Sequence, residues 1–253
     1  MENQTSYAYD IIQVCLLAGK VMLQNGGETY RVEDTMTRIA DAYGATHSNS
    51  YVTPTGIIFS LEGPEPSKTQ LMRISERTTD LDKVTKVNSI SRRISSGGLS
   101  IKEAYEELDR LDKMTERYTF PKQLVAAAIA SGCFLIMFQG EWGDFLPAVL
   151  AGGGGFYSVS LFNRLVPIKF FAEFLASFVI GLLAVFFVST GIGGQLDRII
   201  IGSVMPLVPG LLITNAVRDL MAGHLISGLS KGAEAFLTAF AIGAGIALVV
   251  SFL

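Results

Sequence analysis

Cysteine and histidine are almost missing from this 253-residue chain, which holds only Cys15, Cys133, His47 and His224. Two cysteines in different halves build no disulfide framework. With two scattered histidines they supply no Cys/His-rich metal centre either. No H-E-x-x-H, S-x-x-K or Walker A run occurs, and neither catalytic residues nor a cofactor or metal is expected. His47 reads as a lone loop histidine with a structural role, and His224 is similarly isolated. An excess of positive charge is also missing: the net charge is −3, which leaves no electrostatic footprint for nucleic acid. The polar start over residues 1–10 lacks a basic n-region followed by an apolar h-region. It predicts no secretory signal and a first half that stays in the cytosol.

Charge is present, but it is unevenly placed. Residues 1–120 hold 14 Lys/Arg and 17 Asp/Glu, whereas residues 121–253 hold six of each. The first part has the charge density of a soluble domain. The second is too apolar to be one, so the chain reads as a cytosolic domain (1–120) followed by a membrane domain (121–253).

The first part has the periodicities of a small α+β domain. Ile11, Val14, Cys15, Ala18, Val21 and Met22 recur at helical spacing, and Asn25, Gly26 and Gly27 stop that helix. A second helix carries Val32, Met36, Ile39, Ala40 and Tyr43 on one stripe and pairs Asp34 with Arg38 across one turn. Residues 50–53, 56–61 and 70–74 are short, rich in β-branched and aromatic residues, and bounded by Pro54, Gly63, Pro64 and Pro66. A helix over 80–95 follows, with Leu81, Val84, Val87, Ser91 and Ile94 in register. Ser100 and Glu103 form a capping box that opens the last helix, with Ile101, Ala104, Tyr105, Leu108 and Leu111 inward. The predicted order is α-α-β-β-β-α-α.

The second part contains five uncharged stretches, 123–140, 145–163, 174–196, 199–217 and 235–253. A helix needs roughly 20 residues to cross a bilayer core, so five transmembrane helices are predicted, over about 122–140, 145–163, 168–190, 198–217 and 233–253. The cytosolic flanks then carry Arg117, Lys122, Arg164, Lys169, Arg218 and Lys231, and the outer flanks only Arg198. That bias satisfies the positive-inside rule and leaves the C-terminus outside. Five is an odd number. If these helices are half of a larger transporter, the other half is inverted, and the chain carries no second copy of itself. The other half is then a separate polypeptide or another copy, and the strong charge bias argues against one sequence inserting both ways. A separate partner polypeptide and a hetero-oligomer or higher oligomer are therefore expected.

Candidate functional residues concentrate near the fourth predicted span. Pro206 and Pro209 each remove a backbone donor in mid-span, and Gly210 adds freedom. A kinked or broken helix is expected, read either as a substrate or ion site or as a packing kink. Thr214 and Arg218 share one face, one turn apart, as do Asn215 and Asp219. The Arg218 guanidinium with these hydroxyl and amide groups suits a substrate carboxylate, or it is an interfacial anchor paired with Asp219. Glu173 opens the third span, either as a proton-coupling carboxylate or as a snorkelling partner of Lys169. Glu234, beside Lys231, reads as interfacial. Gly152 to Gly155 read as a close-packing surface or a hinge. In the first part, GGETYRVEDTMTRIA joins a glycine turn to a helix start, whose backbone donors suit an anion but for Glu28 and Glu33.

Two segments carry a resemblance. AGKVMLQNGGETYRVEDTMTRIADAYG (18–44) and MPLVPGLLITNAVRDLMAGHLISGLSKGAEAFLTAFAIGAG (205–245) resemble the threonine/serine exporter family. The closer likeness is to its split form, in which a cytosolic domain plus five spans is one subunit and a shorter five-span protein the other. The resemblance implies an export permease of the bacterial cytoplasmic membrane, with threonine and serine as substrates of fused members and succinate of a split pair. Where the family's pattern has an acidic residue after the loop glycine, this chain has Gly223 and His224, so no carboxylate is carried over. The reading is an exporter subunit for small carboxylate metabolites. The alternatives are a membrane-tethered metabolite sensor or regulatory subunit, and a membrane-anchored hydrolase.

Overall fold

The structure is a computed structural model describing residues 2–45, 47–62, 67–114, 118–166, 168 and 170–252. Arg117, Pro167 and Lys169, together with Gly63, Pro64 and Pro66, lie outside the described residues. The chain divides into two compact units, Met1–Glu116 with Leu211–Gly232, and Arg117–Gly210 with Ala233–Leu253.

The first unit begins with helix α1 (Glu2–Gln24). Its apolar positions run nearly all the way round, and Ile12, Val14, Cys15, Ala18, Val21 and Met22 are wholly excluded from solvent. A helix of that pattern belongs in the middle of a core. Helix α2 (Thr29–Ala42) packs on it through Val32, Met36, Ile39 and Ala40. A three-stranded antiparallel sheet follows in the order β1 (His47–Thr53), β2 (Gly56–Glu62), β3 (Lys68–Arg73). The register pairs Val52 with Ile57 and Phe59 with Gln70. Alternation along β2 sends Ile57, Phe59 and Leu61 inward and leaves Ile58 outward.

Helices α3 (Leu81–Ser95) and α4 (Ile101–Lys113) complete the order expected from the sequence. Val84, Val87 and Ile94 of α3, and Ala104, Leu108 and Leu111 of α4, enter the same core. Ser100 and Glu103 make the expected reciprocal cap of α4. Tyr105 departs from its expected inward place and is 40% exposed, because helical spacing puts it at the edge of a stripe that Ala104 and Leu108 already fill.

The second unit contains α5 (Phe120–Met137), α6 (Phe145–Leu165), α7 (Phe171–Ser189) and α8 (Leu196–Val204). It also takes the larger part of the last helix, α10 (Leu225–Val250). Its core is built of small and branched side chains, Leu135, Ala148, Ala151, Ala184, Ile199 and Ile200. The glycine run lies within an unbroken α6 and packs closely: a Cβ at Gly152 would fall on Ser131, and one at Gly155 on Ile180. Small residues that let backbones approach are the usual basis of helix association in lipid. At the end of this unit that holds Trp142, the buried Asp144 carboxylate accepts from the N–H groups of Gly194 (2.5 Å) and Gln195 (3.0 Å).

Among the described residues, four helices, Phe120–Met137, Trp142–Leu165, Phe171–Ser189 and Leu225–Val250, are long and apolar enough to cross a membrane. There are five if the bent pair Leu196–Leu207 and Gly210–Met221 counts as one span. That pair corresponds to the fourth expected span. The last helix begins eight residues before the boundary expected at 233, because Ser227 and Lys231 are polar positions that a search for uncharged runs passes over.

A broken helix and a buried polar cluster as the candidate functional site

Helix α8 ends in a 3₁₀ turn over Met205–Leu207, and a new helix, α9, runs over Gly210–Met221 at 63° to the first. The chemistry of the break is local. Pro206 has no N–H for the carbonyl of Gly202, and Pro209 has none for that of Met205. The Met205 carbonyl accepts from Val208 N instead (3.2 Å), and Val208 adopts an extended conformation. The break expected from the two prolines is thus present, with Gly210 opening the second half.

Helix α9 has two sides. Asn215, Ala216 and Asp219 are buried, whereas Thr214 and Arg218 are exposed. Gly223, at φ +87°, ends the helix in the left-handed region, and the N–H of His224 returns to the carbonyl of Asp219 (2.9 Å). Helix α10 starts two residues later. Its first turns stay in the first unit, so the α9–α10 hairpin meets the glycine turn between α1 and α2 within one compact body.

Asp219 is the centre of that meeting. Its carboxylate is completely buried and accepts from Thr29 N (3.0 Å), Thr29 Oγ1 (2.8 Å) and Lys231 Nζ (2.7 Å). Thr29 is the first residue of α2, so the carboxylate sits where the helix N-terminus offers an unsatisfied N–H and partial positive charge. The backbone donors of this turn, which Glu28 and Glu33 were expected to keep from an anion, meet one supplied by a side chain of the same protein. Lys231 Nζ also donates to Thr29 Oγ1 (3.2 Å). Thr29 and Ser227 hydroxyls lie 3.1 Å apart, and Ser227 donates to the carbonyl of Val52 in β1 (3.2 Å). Every charge in this buried cluster therefore has a partner, as burial requires.

Two further contacts flank it. Asn215 Nδ2 donates to the carbonyl of Gly26 (2.9 Å), in a turn that needs glycine because its φ is +92°. Glu28 is nearly buried and accepts from Arg31 Nη1 (3.2 Å) through Oε2 and from Arg218 Nη1 through Oε1. Arg218 thus pairs with Glu28, not with its neighbour Asp219. Glu33 Oε1 accepts from Val52 N (2.9 Å), and His224 Nε2 lies 3.8 Å from Oε2. Burial pushes the Glu33 carboxyl above its ordinary range, while the Val52 N–H and His224 pull it back.

Of the residues singled out from the sequence, Asn215, Arg218 and Asp219 come together with the glycine turn, and Pro206, Pro209 and Gly210 form the break. Thr214 lies on the exposed face with Arg218. Glu173, in α7, belongs to the second unit, where its Oε2 is buried without a hydrogen-bond partner among the described residues. Sequence reasoning missed Glu28, Thr29, Ser227 and Lys231 as members of the cluster. The available signal was the spacing of Ser227 and Lys231, four apart on one face of an otherwise apolar helix.

Comparison with known proteins places the chain. The family model described as "Putative threonine/serine exporter" matches residues 13–253. A "Probable threonine/serine exporter" of Mycobacterium tuberculosis is 27% identical over 237 residues, covering 90% of this chain and 44% of that protein. The chain thus spans less than half the length of that relative. The "Probable succinate transporter subunit YjjP" of Escherichia coli K12 is 25% identical, with 98% of this chain and 96% of that protein covered. Its namesake from Klebsiella aerogenes is 23% identical, with 99% and 97% covered. No solved structure matches. Two long motifs in order, apolar helices of spanning length and a family match over nearly the whole sequence lead to one conclusion: this multi-pass membrane protein belongs to the threonine/serine exporter family.

Proposed function

We propose that the chain is one subunit of a secondary-active exporter of small carboxylate metabolites, threonine/serine-like or succinate-like, working with a separate five-span partner in the bacterial cytoplasmic membrane. The observation that carries this reading is the helix broken at Pro206, Pro209 and Gly210. Broken helices expose backbone carbonyls only where these line protein or a water-filled path, and transporters bind substrate there. The names of two relatives as transporter subunits, each matched over nearly its full length, support a partner. The absence of a Walker A run supports coupling to a gradient.

In this reading residues 1–120 are cytosolic and the C-terminus is outside. Arg218 receives the substrate carboxylate: Glu28 engages Nη1, and the other edge of the guanidinium faces solvent, its side chain 55% exposed. Thr214, on the same exposed face, orients the substrate, while Asn215, through Gly26, and Asp219, through Thr29, hold the helix that carries it. Glu173 carries the coupled proton: its Oε2 is buried in α7 with no hydrogen-bond partner among the described residues. The test is efflux of labelled serine, threonine and succinate from proteoliposomes holding both subunits. Arg218→Gln should abolish efflux with assembly intact, and unchanged efflux would sink the assignment.

A further inference from the structure

The N-terminal unit contains a second site, away from the α9–α10 hairpin. A cleft of about 500 Å³ opens between α2 and α3. One wall is the polar stripe of α2, with Arg31, Asp34 and Arg38. The other is the polar stripe of α3, with Asn88, Ser91 and Arg92. Three guanidiniums face one carboxylate in this lining. Arg38 is paired with Asp34 (2.6 Å), and Arg31 shares Glu28 with Arg218. The Arg92 guanidinium makes no ion pair or hydrogen bond among the described residues.

Ser91 supplies the independent observation. It is 3% exposed, and its hydroxyl is buried without a partner. Its neighbours on α3 do not behave this way: Thr85 and Ser95 each donate to the carbonyl four residues back, at 2.9 and 3.0 Å. That bond is the usual resting place of a helical hydroxyl. Ser91 forgoes it and stands in the cleft wall with an unmet hydrogen-bonding group, which costs stability unless something outside the chain meets it.

We propose that this cleft binds a small metabolite dianion, a dicarboxylate or a phosphate monoester. Its charged end lies between Arg92 and Arg38, and its remaining oxygens are met by Asn88 and Ser91. Planar guanidiniums match both oxyanions bidentately, and the volume is that of a small-ligand site. Arg92 brings a charge that no carboxylate among the described residues meets, and Arg38 and Arg31 stand beside it, so a second negative charge on the ligand finds a guanidinium as well. Such a ligand would act on the exporter from the N-terminal domain, and Arg31, which shares Glu28 with Arg218, would link the two places.

The experiment is calorimetric titration of the full-length chain in detergent, at fixed ionic strength, with succinate, inorganic phosphate and adenosine monophosphate, and acetate as the monoanion control. At least one dianion should bind with a Kd below about 1 mM, and Arg92→Gln should weaken it about tenfold or more. Ser91→Ala should weaken binding while leaving the melting temperature unchanged or raised, a combination that a merely structural serine does not give. No binding by any dianion up to about 10 mM, or binding unchanged in both Arg92→Gln and Arg38→Gln, overturns the site. Binding lost in Arg218→Gln but kept in Arg92→Gln belongs to the transport path and overturns it equally.

Discussion

Lys231 Nζ lies 2.7 Å from Asp219 Oδ2, and the two side chains are 5% and 0% exposed. The pair joins the start of α10 to the end of α9, and Thr29 bonds both of its members. A buried pair is weak evidence for net stability, but losing one partner strands a charge.

Lys231→Met or Asp219→Asn alone should therefore destabilise the first unit by about 3–5 kcal/mol. The double variant Lys231→Met/Asp219→Leu should lose less than the sum of the single changes. Thermal melts of all four proteins in one detergent check this, and additive losses would show that the pair is not coupled.

Glu28 occupies one edge of Arg218. Glu28→Gln removes the competing charge and should lower the KM for a carboxylate substrate while kcat changes little. A KM that rises would mean that Glu28 orients Arg218 and does not compete with substrate. Efflux kinetics at several substrate concentrations separate the outcomes.

Glu33 links stability to pH. Its carboxyl is raised above the ordinary 4.5, chiefly by burial. An acid raised on folding favours the protonated native state. Its contribution is fully present below the unfolded value and fades as pH rises through the folded one. Glu33→Gln should flatten that slope above about pH 4.5, and the Gln carbonyl can still accept from Val52 N. Melting temperatures of both proteins across that window test the sign.

Pro206→Ala/Pro209→Ala restores two backbone donors and should straighten the junction of α8 and α9. Spin labels at positions 200 and 217 would then move apart, and efflux should fall at least about tenfold, since helix continuity closes the carbonyl-lined path. Full efflux with a straightened junction would reduce the break to a packing kink.

Much of the fold was legible because it is written in short-range periodicity. Val84, Val87 and Ile94 announce one helix face, and the Pro206–Pro209 pair announces the break without reference to anything else. What was not legible is complementarity at a distance. Thr29 and Asp219 are 190 positions apart, and no local pattern says that the donor of one meets the acceptor of the other. Arg218 shows the same limit: its neighbour in sequence is Asp219, but the turn of the helix sends the two side chains to opposite sides, one to Glu28 and one into the core. The residues worth testing were visible, whereas their partners had to be seen.

The make-up of the first unit has a consequence in time. It combines residues 1–116 with Leu211–Gly232, so its last pieces leave the ribosome only after 117–210 have been made. At ordinary elongation rates that interval is on the order of ten seconds. During it the N–H of Thr29 and the carboxylate of Glu28 wait for Asp219 and Arg218, which are not yet synthesised. The domain's closure is thus a report that the preceding helices have been delivered, and a truncated chain that stops before residue 211 would carry an N-terminal domain with its polar seam permanently open.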